Sequence, residues 1–514
     1  MKDVYSDYIE QLNGRHLSNP SVQPLQPQEK AFGYDEILQK IDDKLDILIN
    51  KKYLNREADI IVRGGRVVLP DNGVFEADVW IKDGKVFRLQ QRVQPEDTGE
   101  TACLPSAEII DARGKYVLPG IIDPHAHLGL FAPLKTDLQS ETKSALVGGI
   151  TTLGVFFGGE QSHVENFPRI CEEINQTSYV DIIPHLVIGS QQQKKEIQDC
   201  IRSLGVTSYK VYMNGIPGMI SEVDDGFILD VFAQLKQSGR TCVLCVHAEN
   251  SHIVRRANDI VRSEKGEQAT IRDWADTHPA LAEEEAVMRM ACLAERSGVD
   301  VYLVHISSKE AALRLQEIKA KNRRVFAETT SPYLSITKED TESFRIKMEP
   351  PFRSSEDREA LWRAVRGGVI DTIGTDNVCQ TSDEKKAAGS LWDAMPGYPA
   401  LATHLPVCLH EGVTKRGLPI EELIAHMTKR PAEIFGVYPQ KGTLLPGSDA
   451  DLVIVNMQLE RTVEAAALCS RSDFSIYDGK KITGWPVMTI KGGAVVAKDG
   501  VYMGNGASGR CLKR

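Results

Sequence analysis

The chain has 514 residues, 42% of them hydrophobic and 26% charged, which supplies a sizeable core and excludes wholesale disorder. Its 61 Lys and Arg against 71 Asp and Glu leave a formal charge of -10 with no long basic cluster, so nucleic acid is not an expected partner. No apolar run approaches the roughly 18 residues of a bilayer span. The ten cysteines, with no repeated C-x-x-C pair, read as buried small hydrophobes of a reducing cytoplasm rather than a disulfide framework.

Residues 1–56 form an N-terminal extension. Pro20, Pro24 and Pro27 mark an extended arm, and Leu38, Ile41, Leu45 and Leu48 then repeat at spacings of three and four, which predicts an amphipathic helix. Short strands and turns begin at Asp59, with Asp83-Gly84 as a hairpin signal. The same texture returns at 449–455 and 487–493, so residues 57–117 and 441–505 are expected to build one composite β-sandwich domain. Between them, in 118–440, apolar runs at 120–123, 152–155, 182–186, 209–212, 242–246, 301–304, 325–328 and 372–374 alternate with helical stretches. Eight such units predict the α/β class, as a (β/α)8 TIM-like barrel. Residues 506–514 are left as a C-terminal tail.

Several of these runs end in an ionisable residue, at the barrel face where active sites are built. The first ends in Asp123-Pro124-His125-Ala126-His127, and the period of two puts both imidazoles on one face. His247, His305 and Asp376 each follow a later run. Four imidazoles and a carboxylate suit Zn²⁺ or a similar divalent ion, with one position left open for water. Lys210 is the odd member, because a free ammonium beside such cations would be repelled. The remaining histidines, including His163, His278, His404, His410 and His426, read as surface or structural residues, and His185 as a hydrogen-bonded core residue.

Over about residues 58–500 the sequence resembles the cyclic amidohydrolases of the dihydropyrimidinase, hydantoinase and allantoinase group. The resemblance is carried by the segment ending in His125-Ala126-His127, by His247-Ala248-Glu249-Asn250, by Pro350-Pro351-Phe352-Arg353 and by Gly447-Ser448-Asp449-Ala450-Asp451-Leu452, in that order. It implies two divalent metal ions per subunit, with Zn²⁺ expected: His125 and His127 on one, His247 and His305 on the other, and Lys210 bridging them as a CO₂-derived carbamate (N6-carboxylysine). It also implies Asp376 as ligand and general base toward a metal-bridging hydroxide. The implied reaction opens the ring amide of a small cyclic ureide, hydantoin or dihydropyrimidine, to an N-carbamoyl amino acid. Allantoinase-like hydrolysis is the alternative, and a non-catalytic oligomeric scaffold of the same fold is a third reading. A homotetramer is implied as well.

The pattern departs from close relatives at three places. Where hydantoinases carry an oxyanion-binding tyrosine five residues after the lysine, this chain has Gly215, so Tyr212 and Asn214 become the candidate substrate contacts. Glu349 stands where a serine is usual and is a third candidate contact, and Asn377 follows the catalytic acid in place of histidine.

Overall fold

The computed structural model describes residues 58–70, 72–91, 107–216 and 220–514, so the expected helix around Leu38 to Leu48 lies outside the described residues. The first five strands are β1 (Ile60–Leu69), β2 (Gly73–Lys82), β3 (Lys85–Gln91), β4 (Glu108–Asp111) and β5 (Tyr116–Pro119). The β2–β3 hairpin turns at Asp83 and Gly84, both at positive φ, as the sequence predicts.

The barrel strands are β6 (Ile121–His127), β7 (Ile150–Phe157), β8 (Asp181–Val187), β9 (Ser208–Tyr212), β10 (Val243–His247), β11 (Asp300–Leu303), β12 (Val325–Thr330), β13 (Thr372–Gly374) and β14 (Asn377–Val378). They run parallel in the order β13-β12-β11-β10-β9-β8-β7-β6-β14. Because β14 directly continues β13 and pairs with β6, the sheet closes on itself. β7 and β8 are buried along their whole length, as parallel strands covered on both faces must be, which explains their mainly apolar texture. Between the strands lie helices whose first turns are capped, for example by Ser162, Asp224, Asn250 and Ser308. All eight predicted strand runs lie in this barrel.

The chain then returns to the first sheet with β15 (Leu452–Thr462), β16 (Lys481–Lys491), β17 (Ala494–Lys498) and β18 (Val501–Tyr502). β15 pairs antiparallel with β5 and so unites strands from the two ends of the chain. Val62, Val79, Ile81, Val117, Leu452 and Ile454 give this sheet a core of its own, separate from that of the barrel. Barrel and sheet are pinned together by ions: the buried Lys441 ammonium lies 2.6 Å from Asp181, 2.9 Å from Asp449 and 2.5 Å from Asp451.

One expectation is corrected. Cys171 and Cys511, 340 residues apart in sequence, are joined in a disulfide with their Cα atoms 5.5 Å apart. Spacing along the chain gave no sign of it, because the fold alone brings the tail to that helix. Cys200, Cys242, Cys245, Cys379 and Cys408 are free and buried, as expected, whereas Cys292 is exposed and Cys469 half-buried. Among the described residues, no helix is long and apolar enough to cross a membrane.

Candidate active site

Barrel strands deliver the chemistry-bearing side chains to a single cavity. His125 and His127 end β6, Lys210 sits on β9, His247 ends β10, and His305 and Asp376 follow β11 and β13. All six line a cavity of about 50 Å³ at the C-terminal end of the barrel. His305 and Asp376 adopt positive φ, 43° and 56°, in a region that residues with a Cβ seldom occupy. Such strain persists where the surroundings enforce it, and it concentrates at functional sites.

Each imidazole that is held is held by its far nitrogen. His125 Nδ1 lies 2.8 Å from Glu328 Oε1, which leaves Nε2 facing His127 Nε2 at 3.3 Å and Asp376 Oδ1 at 3.1 Å. Asp376 Oδ1 is also 3.3 Å from His127 Nε2. Glu328 is fixed in turn by the Tyr302 hydroxyl, which donates to its Oε2 at 2.7 Å. His247 Nε2 rests 2.8 Å from Glu249 Oε2, and the other oxygen of Glu249 meets His278 Nδ1 at 3.0 Å. Carboxylates behind imidazoles fix ring orientation and tautomer, the arrangement that metal-binding histidines require. Beneath them, Asp123 accepts from the backbone N–H groups of His125 and Thr375 and from the Thr375 hydroxyl, locking the start of the Asp376 turn to β6.

The electrostatics are those of a cation site. Burial disfavours the His125 cation, yet Glu328 and Asp376 outweigh it and hold its pKa up to about 9. Burial works against the Asp376 anion, but the His125 ring overcomes it and keeps this carboxylate well below its usual range. His305 is driven well below an ordinary histidine by burial and by His247 beside it, so its ring is neutral. Lys210 is fully buried and its Nζ makes no hydrogen bond, and burial lowers its pKa to about 8. His305 Nδ1 is likewise buried without a hydrogen bond. Donor atoms of His125, His127 and Asp376 lie within 4.8 Å of one another, close enough to share an ion. A buried amine and a buried imidazole nitrogen lacking partners, beside further imidazoles and a carboxylate, fit divalent metal as the missing partner.

The predicted substrate contacts divide. Tyr212 and Glu349 line the cavity; Asn214 is buried but is not among its lining residues. A Cβ on Gly215 would lie 2.6 Å from both Glu222 N and Ile220 O, so the local backbone leaves no room for a tyrosine there. Ile216 and Ile220, which bridge across this turn, line the cavity instead. Asn377 Oδ1 accepts from Ala400 N at 2.8 Å and anchors the following loop. The sequence reading missed Glu328, Glu249 and His278 as supports. Glu328 was visible in principle, as an acid ending an apolar run; His278, which was read as surface or structural, is buried and carries no local signal. His185 is a core residue, with Nδ1 2.6 Å from Ser208 Oγ.

Residues 116–496 match the amidohydrolase family. The chain is 31% identical over 472 residues to an L-hydantoinase of Paenarthrobacter aurescens, covering 89% of this chain and 98% of the relative. An allantoinase of Bacillus licheniformis is 29% identical over 474 residues, covering 88% of this chain and 99% of the relative. Among solved structures, L-hydantoinase (dihydropyrimidinase) from Arthrobacter aurescens superposes with a TM-score of 0.81 at 31% identity, covering 89% of this chain and all of that one.

Proposed function

The chain belongs to the amidohydrolase family, within its hydantoinase, dihydropyrimidinase and allantoinase group, and is a hydrolase of cyclic amides; from that premise we propose that it opens the ring of a hydantoin or dihydropyrimidine to an N-carbamoyl amino acid. The observation that carries this reading is the convergence of four imidazoles, an unpartnered buried lysine and a carboxylate on one cavity.

His125 and His127, with Asp376, would hold one divalent ion, and His247 and His305 a second. Lys210 would bridge the two as a carbamate: its amine, whose pKa burial has lowered, is unprotonated in a useful fraction near neutral pH, attacks CO₂ and loses a proton. The resulting anion removes the repulsion that a lysine cation would cause. Zn²⁺ is the expected ion, and when bound it polarises a carbonyl and makes a water acidic enough to ionise near neutral pH. Asp376, ionised and held beside His125 and His127, takes the proton of the attacking water on a carboxylate oxygen and returns it to the departing ring nitrogen. Tyr212 and Glu349 lie where the ring would be oriented, and Ile216 and Ile220 shield it from water.

Asp376→Asn should lower kcat by about 10³-fold, within the range for removing a general base; an unchanged kcat would refute this role. Chelation should abolish ring opening and Zn²⁺ should restore it, with the N-carbamoyl product identified by chromatography. A second reading, allantoin as the ring, is favoured by the similarity to allantoinases and by the Glu349 carboxylate, which can accept ureido N–H groups. Parallel kcat/KM values for hydantoin, dihydrouracil and allantoin decide between them. The homotetramer implied by the resemblance is checked by light scattering.

A further inference from the structure

β8 and β9 pair only at their upper ends, through Leu186 with Tyr209 and Val187 with Lys210. Below that point the strands part, and Pro184 has no N–H with which to bridge the gap. The last residues of the chain fill it. Ile182 N donates to Arg510 O and Leu512 N donates to Ile182 O, both at 2.8 Å, while on the other side Arg514 N donates to Gly205 O at 2.8 Å. Leu512 packs into the cluster that contains Phe156, Ile183 and Tyr302. Outside, the tail is held by Arg510, 2.7 Å from Asp181 and 2.8 Å from Asp449, and by the Cys171–Cys511 bond.

The Arg514 side chain completes the wedge. One terminal nitrogen donates to Pro184 O at 2.6 Å and to Ser208 Oγ at 2.9 Å, and the other to Phe435 O at 3.2 Å. Ser208 Oγ also meets His185 Nδ1 at 2.6 Å. The His185 ring lies 4.6 Å from Phe156, which packs 4.7 Å from His125 and has Lys210 Nζ 4.7 Å from its centroid. Ser208 and Lys210 are two residues apart on β9 and so share its face, one layer below the other. Both terminal nitrogens of this guanidinium thus donate to neutral oxygens of the barrel, while its Nε is buried without a hydrogen bond. It ties Pro184 of β8 to Ser208, the first residue of β9, where the two strands are not paired.

We propose that residues 509–514 brace the barrel beneath the active site, with Arg514 as a positioning residue that holds the start of β9 against β8 and thereby aims Lys210. This rests on the reading of Lys210 as a metal-bridging ligand. The test compares the full chain with Arg514→Met, Arg514→Lys and a chain ending at Leu512. The readouts are hydrogen exchange of the β9 amides with and without metal, zinc per chain, and kcat and KM for a hydantoin. Arg514→Met and the truncated chain should exchange β9 amides about tenfold faster. They should also bind zinc about tenfold more weakly and lose kcat with KM within about twofold, and Arg514→Lys should be intermediate. Wild-type β9 exchange and wild-type zinc content in both Arg514→Met and the truncated chain would overturn the proposal. If the unaltered chain binds no zinc and opens no ring, the proposed function fails, and exchange of the metal-free proteins alone then decides whether the tail braces β9.

Discussion

Glu328 and Glu249 do the same work at two imidazoles: each holds one ring nitrogen and so fixes the ring's orientation. Removing such a support ordinarily weakens metal binding 10–100-fold. Glu249→Gln should therefore lower zinc affinity by about that factor in a competition titration, and unchanged affinity would show that His247 is oriented by other contacts. His125 makes a prediction in pH. Without metal, burial opposes its cation but Glu328 and Asp376 raise its pKa from 6.5 to about 9. The protonated ring then contributes stability that is complete below pH 6.5 and is lost as pH rises through 9. The thermal midpoint of metal-free protein should fall between pH 6.5 and 8, before Lys210, lowered by burial to about 8, starts to act in the opposite sense. Metal needs the unprotonated ring, so loaded protein should not show this fall; parallel slopes for the two forms would contradict it.

At the scale of elements, the barrel was legible because each strand is an apolar run and the reactive residues terminate those runs, as His125, His247 and Asp376 do. The loop after β9 was not legible in the same way. Asn214 was a candidate contact because Gly215 stands where relatives carry a tyrosine, but Ile216 and Ile220, bridged to each other, line the cavity and Asn214 does not. That turn needs Gly215, where a Cβ would meet backbone atoms at 2.6 Å. Gly215→Ala should shift Ile216 and Ile220 and raise KM by about tenfold with metal content unchanged, since loops at this face set specificity while the strands hold the ligands. Unchanged steady-state kinetics would mean that the turn does not shape the site. The disulfide was illegible for a different reason, because contacts between residues 340 positions apart follow from the closed fold and not from any local pattern.

On the scale of the whole molecule, the barrel and the segment that follows it meet at an electrostatic joint. Lys441 is buried among Asp181, Asp449 and Asp451; Lys491 also neutralises Asp181, and Arg510 both Asp181 and Asp449. Removing one partner from a buried ion cluster leaves charge uncompensated and costs about 3–5 kcal/mol. Lys441→Met should accordingly lower the denaturation midpoint markedly, and a change under about 1 kcal/mol would show that the cluster does not depend on this ammonium. The proposed ring opening depends on the barrel closing its strand ends around divalent metal. The direct test is metal content by mass spectrometry on protein purified without chelators. About two divalent ions per folded chain, lost together with ring opening on chelation, is the predicted result. Folded protein that holds one ion or none and cannot be reloaded would contradict it, because Lys210 would then have nothing to bridge.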